Sequence, residues 1–257
     1  MLQSGKFDHI GQKKKPRSIH NRSHGELAEH ALIIFAKAPI PGEVKTRLCP
    51  PLLDDEAASL YGSMVMDIVE RCSSLRGFDR YLACTPNVDH AFFKTMAARY
   101  GVHLWEQKGA NLGERMNQAL TTALGKGYQY ALLIGTDLPT FSAQACLIAI
   151  HTLKNHDVVF GPTSDGGYYL VGIKRPAPEL FRDIPWSTPS VLYVSLDKAQ
   201  GLGLVVGHLD PQHDIDTIED LKVLVTDLQG PGKKNFSTRT ANVLLALAQR
   251  HLGNSKE

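Results

Sequence analysis

Two short segments hold the residue types from which a charged-ligand site is built: Ile134-Gly135-Thr136-Asp137-Leu138-Pro139 and, about one helix and one strand further on, Gly161-Pro162-Thr163-Ser164-Asp165-Gly166-Gly167-Tyr168-Tyr169-Leu170. Each sets a lone aspartate in a glycine- or proline-marked loop directly after an apolar run. A carboxylate at a strand end suits a hard divalent cation, because Mg²⁺ takes one or two carboxylates and fills its shell with water and substrate phosphates. An Asx-type turn before Pro139 would explain Asp137 without any ligand. Asp165-Gly166-Gly167 reads as a hairpin turn and equally as a place where backbone approaches a ligand closely, and both can hold together. A third group, Asp214-Ile215-Asp216-Thr217, precedes a helical pattern, so one aspartate could face a crevice while the other caps the helix. If Asp216 converges with Asp137, the pair forms a two-carboxylate seat for Mg²⁺ or Mn²⁺.

Cations stand upstream. The segment from Lys37 through Ala38-Pro39-Ile40-Pro41-Gly42 to Lys45-Thr46-Arg47-Leu48 leaves an apolar strand with three basic residues and a backbone restrained by two prolines. Arg47 can grip a phosphate as a fork and Lys45 as a point charge, with Lys37 nearby, although two basic residues in a surface loop are also commonplace. Gln107 to Met116 leaves another strand and opens a helix, where backbone N–H groups around Gly113 and the side chain of Arg115 could meet base, ribose or phosphate; a plain turn explains it as well. Pro185-Trp186-Ser187-Thr188-Pro189 could shape an acceptor pocket or simply pack.

The elements that must position these residues follow from hydrophobic periodicity. Strands are expected at 31–36, 80–84, 102–105, 131–134, 158–160, 168–173 and 204–209. Helices are expected at 54–74, 88–100, 112–124, 142–155 with Ser142 as N-cap, 188–200, 217–228 and 238–250. This alternation implies crossover connections and a mainly parallel sheet covered on both faces, with ligands beyond the carboxyl ends of the strands. The strand at 168–173 follows its predecessor with no helix between, which predicts an antiparallel or mixed insertion.

Bulk properties narrow the classes. A chain of 257 residues, 43% apolar, suits one α/β domain. The expected division is a basic tail at 1–30, a transferase-like domain at 31–228, and a linker with a last helix at 229–257. The net charge of +2 is concentrated in the tail around Lys13-Lys14-Lys15-Pro16-Arg17, so no specific nucleic acid is expected as a partner. No run is long enough for a signal or membrane span, and the four dispersed cysteines fit a reducing, cytoplasmic setting. P-loop and nucleophile-elbow patterns are absent. His208 and His213 lack ligand spacing.

Four stretches taken in order resemble a known family: residues 35–48, Leu112-Gly113-Glu114-Arg115-Met116, Gly135-Thr136-Asp137-Leu138-Pro139, and 161–172. Together they look like the radical-SAM/selenodomain-associated transferases of the glycosyltransferase type A superfamily, over residues 31–225. The resemblance implies a Rossmann-like nucleotide-diphospho-sugar transferase domain and a nucleotide-sugar-dependent glycosyltransferase acting on a small-molecule acceptor. In that reading Lys37, Lys45, Arg47, Gly113, Arg115, Thr136, Gly166 and Gly167 surround the nucleotide. Asp137 and Asp216 hold the metal, and Asp137, Asp165 and Lys45 serve the chemistry. The loop at 45–48 is also similar to that of phospholactate guanylyltransferases. That likeness supports an alternative, transfer of a nucleotidyl group from an NTP to a phosphorylated small molecule. A non-catalytic nucleotide-binding protein is the third reading.

Overall fold

A computed structural model describes residues 28–253; the expected basic tail lies almost wholly outside them. Among the described residues seven strands form one sheet: β1 (His30–Lys37), β2 (Phe78–Thr85), β3 (His103–Glu106), β4 (Tyr130–Ile134), β5 (Val158–Pro162), β6 (Tyr168–Ile173) and β7 (Val206–His208). Their order is β3-β2-β1-β4-β6-β5-β7. Only β6 runs against its neighbours, β4 and β5, as its short connection to β5 requires.

Residues 32, 34 and 36 of β1 enter one core and residues 31, 33 and 35 the other, the period-two signature of a strand buried on both faces. On the first face lie α1 (Asp54–Ser73), α2 (Ala91–Tyr100), α4 (Gln144–Leu153), α6 (Ile218–Gln229) and α7 (Thr238–His251). The second face is covered by α3 (Leu112–Gly125) and α5 (Val191–Gly201). The result is a mixed, mostly parallel α/β sandwich of the kind expected.

Element ends depart from the periodicity. Helix α2 starts at Ala91, because His90 Nδ1 accepts the Phe92 N–H and caps it. Ser142 stands one residue before the α4 cap, its hydroxyl accepting from the Gln144 N–H. Neither Asp214 nor Asp216 caps α6. Thr217 does so, accepting from Asp220 N–H while the Asp220 carboxylate takes the Thr217 N–H, a reciprocal capping box. Helix α5 begins three residues later than its pattern implies, since residues 183–190 form a shaped loop with Asp183 and Ser187 at positive φ.

Candidate active site

The carboxyl ends of β1 and β4 lie side by side at the centre of the sheet, and the loops leaving them open a crevice of about 490 Å³. Three chain segments far apart in sequence are brought to it. The loop after β1 delivers Lys45 in a left-handed conformation, φ 50°. The loop after β4 delivers Asp137. The segment after β7 runs beside the end of β5, where Gln212 N–H donates to Pro162 O and Ser164 N–H to Gln212 O, and then turns so that Ile215 N–H donates to Asp137 O at 3.0 Å. Fully buried Ile215 pins that segment to the core.

Asp137 and Asp216 therefore converge, but on an ammonium group. Lys45 Nζ contacts Asp137 Oδ1, Asp216 Oδ1 at 2.9 Å and the Ile215 carbonyl, so its three N–H donors all have protein acceptors. Its side chain is 5% exposed. Burial alone would lower the lysine pKa; the two carboxylates outweigh it and hold the group above its usual range. Arg47 stays 66% exposed, 3.8 Å from the other Asp216 oxygen, and Lys37 is exposed at the strand end. Among the described residues these two are the cations on the crevice wall not buried in ion pairs.

A directed hydrogen-bond chain fixes the wall behind. Lys37 N–H donates to Tyr61 Oη, the Tyr61 hydroxyl meets Thr136 Oγ1 at 3.0 Å, and Thr136 donates to Phe35 O. Burial pushes the Tyr61 phenol up to about 12, with Asp137 adding to the effect, so it stays protonated. Helix α1 thereby ties the ends of β1 and β4 together.

Asp165 occupies the turn joining β5 and β6, as the hairpin reading of Asp-Gly-Gly expects, and also lines the crevice. Its Oδ1 accepts from Thr163 Oγ1 and from Gly167 N–H. Asp165, Asp214 and Asp216 offer carboxylate oxygens within 4.8 Å of one another. Burial, and then the neighbouring Asp165, raise Asp214 to about 6. Trp186 lines the same crevice, edge-on to Tyr168.

Of the expected site residues, Lys37, Lys45, Arg47, Thr136, Asp137, Asp165, Gly167 and Asp216 line the crevice. Gly113, Arg115 and Gly166 are not among the residues that line it. A Cβ on Gly113 would sit 2.3 Å from Phe181 O, Arg115 Nε is spent on Gly109 O, and Gly166, at φ 90°, would press a Cβ to 2.0 Å from Pro189 O. Gly166→Ala is thus expected to destabilise the protein by on the order of 1–3 kcal/mol, read as a lowered urea midpoint, because the obstructing atom is backbone. Sequence reasoning passed over Tyr61 and Gln107. Tyr61 sits mid-helix in an apolar pattern that gives no signal, and Gln107 lies within a stretch judged only for its backbone and Arg115.

A crystal structure of a "putative nucleotide-diphospho-sugar transferase" from Desulfovibrio desulfuricans is 30% identical, with a TM-score of 0.79 over 87% of this chain and 96% of that one. The chain belongs to the nucleotide-diphospho-sugar transferase family. A family model described as "Uncharacterized protein conserved in bacteria (DUF2064)" matches residues 68–188. A 2-phospho-L-lactate guanylyltransferase from Methanoculleus marisnigri is 27% identical over 207 residues, 80% of this chain and 85% of that protein. The 4-diphosphocytidyl-2C-methyl-D-erythritol synthase of Anaerococcus prevotii shares the fold at 15% identity and a TM-score of 0.51, over 79% and 99% of the two chains. These relatives are transferases, and so is this family member; the non-catalytic reading is set aside. No helix among the described residues is long and apolar enough to cross a membrane.

Proposed function

We propose that this transferase moves a nucleotidyl group from a nucleoside triphosphate to a small acceptor and releases pyrophosphate. The observation that carries the reading is the guanylyltransferase relative, alignable over 85% of its length, in which the alternative drawn from the loop at 45–48 finds its counterpart. In this reading an acceptor oxygen forms a bond to the α-phosphorus while the bond from that phosphorus to the bridging oxygen breaks. The electron pair leaves with pyrophosphate. Arg47 and Lys37 steady the phosphates at the mouth of the crevice. Lys45 acts from behind, fixing Asp137 and Asp216 and bringing a positive charge to where negative charge accumulates. Asp165, on a turn braced by its own hydrogen bonds, orients the acceptor or its proton, and Trp186 with Tyr168 forms the acceptor wall.

A divalent cation fits the donor set. Three carboxylates lie within mutual reach, and Asp214 is pushed toward its neutral form by burial and its neighbours, so the cluster carries more negative charge than its surroundings solvate. Asp165, Asp214 and Asp216 would hold Mg²⁺ or Mn²⁺. The pair anticipated from sequence, Asp137 and Asp216, would share that task only through Asp216, since Lys45 lies between them. When bound, the ion would supply charge neutralisation to the phosphates.

Sugar transfer from a nucleotide sugar, with the radical-SAM/selenodomain association, is the second reading, favoured by the name of the Desulfovibrio relative. One experiment separates the two. Purified protein with Mg²⁺ is offered nucleoside triphosphates and nucleotide sugars separately, and melting shifts and released products are recorded with candidate phosphorylated acceptors. Stabilisation by a triphosphate and pyrophosphate release are expected; stabilisation only by nucleotide sugars, with nucleoside diphosphate released, would transfer the case to glycosyl transfer.

A further inference from the structure

We infer that the acceptor is a phosphomonoester whose body, beyond its reacting phosphate, is flat, apolar and uncharged, and that Trp186 selects it. This rests on the nucleotidyl-transfer reading and names the class of molecule that the reading leaves as a small acceptor.

The charges of the crevice are unevenly placed. Its lining cations, Lys37, Lys45 and Arg47, all leave the single loop after β1, and Lys45 is already engaged by Asp137 and Asp216. The wall built by residues 165–191 contributes one charged lining residue among those described, Asp165, and the carboxylate oxygens of Asp165, Asp214 and Asp216 lie within 4.8 Å of one another. An acceptor with a carboxylate on its body would set that group beside like charge and against an indole, with no cation in that wall to pair it. Desolvating an unpaired anion is costly, and such a mismatch rejects a ligand as firmly as a good contact admits one.

The same wall turns most of its polar atoms away from the crevice. Tyr168 lines it with its ring, while its hydroxyl, held above its usual pKa by burial, lies toward Ser195 of α5, itself 1% exposed. Trp186 stands edge-on to Tyr168 with ring centroids 6.2 Å apart, and its Nε1 lies against Gly113, where a Cβ would come within 2.8 Å of it. Asp165 Oδ1 is taken by Thr163 Oγ1 and Gly167 N–H. What remains is aromatic carbon, Val191, the Ser187 hydroxyl and one Asp165 oxygen. A sugar body would strip water from several hydroxyls and find few partners for them. A planar apolar body has no such groups to desolvate and gains burial against the rings.

The wall is also built in advance. Trp186 N–H donates to Ile184 O, Thr188 Oγ1 to Pro185 O, and Leu192 N–H to Gly166 O at 2.8 Å, which ties the start of α5 to the turn bearing Asp165. A surface held in this way binds a flat body without first ordering itself. The reacting end is conserved in charge and atoms: a phosphate oxygen of the acceptor, dianionic near neutral pH and so without a proton to remove, bonds to the α-phosphorus as pyrophosphate departs with the electron pair. The product is a diphosphate joining nucleoside and body.

Pyrophosphate release and the nucleoside-linked product are measured on the full chain with Mg²⁺ and the common nucleoside triphosphates together. The acceptors are benzyl phosphate, 4-carboxybenzyl phosphate, ethyl phosphate, glucose 1-phosphate and 2-phospholactate. Benzyl phosphate is expected to exceed each of the others in kcat/KM by about tenfold or more. Trp186→Ala should bring the benzyl-to-ethyl ratio close to one, and Trp186→Phe, which keeps a flat face, should retain most of it. Should Trp186→Ala fail to fold, the panel on the unaltered protein and Trp186→Phe decide. Turnover of 4-carboxybenzyl phosphate, glucose 1-phosphate or 2-phospholactate at or above that of benzyl phosphate, or an unchanged ratio in Trp186→Ala, would overturn the inference while leaving nucleotidyl transfer standing. Triphosphates that raise the melting temperature but yield no pyrophosphate with any of these acceptors would do the same. Failure of every triphosphate to bind, with nucleotide sugars bound instead, would remove both.

Discussion

Lys45→Met should abolish most of the turnover, by on the order of 10²–10³-fold, because it removes a preorganised positive charge from a site that handles phosphates. Methionine keeps the length and flexibility of the stem but leaves Asp137 and Asp216 facing each other without their shared counter-ion. Both aspartates are about two-fifths exposed, so water can take up part of that charge and the fold is expected to survive with only a modest change in melting temperature. Activity and stability should thus separate. Lys45→Arg is not expected to restore the rate, since a planar guanidinium cannot direct three donors at Asp137, Asp216 and the Ile215 carbonyl as an ammonium does. Pyrophosphate release measured under single-turnover conditions checks both variants; a Lys45→Met protein within about threefold of the parent rate would show that the cluster is structural, since an oxyanion-type contact contributes far more.

The largest stability effect is expected elsewhere. Asp67 in α1 is 2% exposed and accepts from Arg239 Nη1, from Thr240 N–H at 3.2 Å and from Thr240 Oγ1, at the start of α7. Asp67→Ala would leave two buried Thr240 donors without an acceptor and Arg239 with Glu70 as its remaining partner, in the contact between α1 and α7. Each buried donor left unsatisfied costs about 1–3 kcal/mol, so the two together remove a large fraction of the stability of a marginally stable domain. Asp67→Asn retains an acceptor and should lose less. Urea unfolding followed by circular dichroism distinguishes the two, and similar midpoints for Asp67→Ala and the parent would refute the account. Because α7 closes over the same α1 that carries Tyr61, a loosened α7 should also weaken nucleotide binding without touching any crevice residue.

The alternation of strands and helices was legible because it rests on short-range physics. Residues 31–36 and 131–134 are continuous apolar runs bounded by polar turns, and such runs need burial on both faces. Even the antiparallel β6 was foreseeable, since a five-residue connection cannot carry a crossover. Helix ends were less legible. Ser142 looks like a cap for α4 and Thr217 like the first residue of α6, and one hydrogen bond decides each case.

The site divides along the same line. Residue type and loop position were enough to nominate Lys45, Arg47, Asp137, Asp165 and Asp216, because the carboxyl ends of parallel strands are where such a sheet exposes unpaired backbone and polar side chains. Which groups meet could not be read from the chain. Lys45 and Asp216 are 171 residues apart, and their contact depends on Ile215 N–H reaching Asp137 O and on the β5 edge guiding residues 209–214. Sequence by itself determined the layered α/β fold and the loops that bear charge, through periodicity and local backbone preference. Only the tertiary structure decided that two aspartates close on a lysine instead of on each other, because the pairing of charges depends on distances of a few ångströms between segments that no local rule brings together.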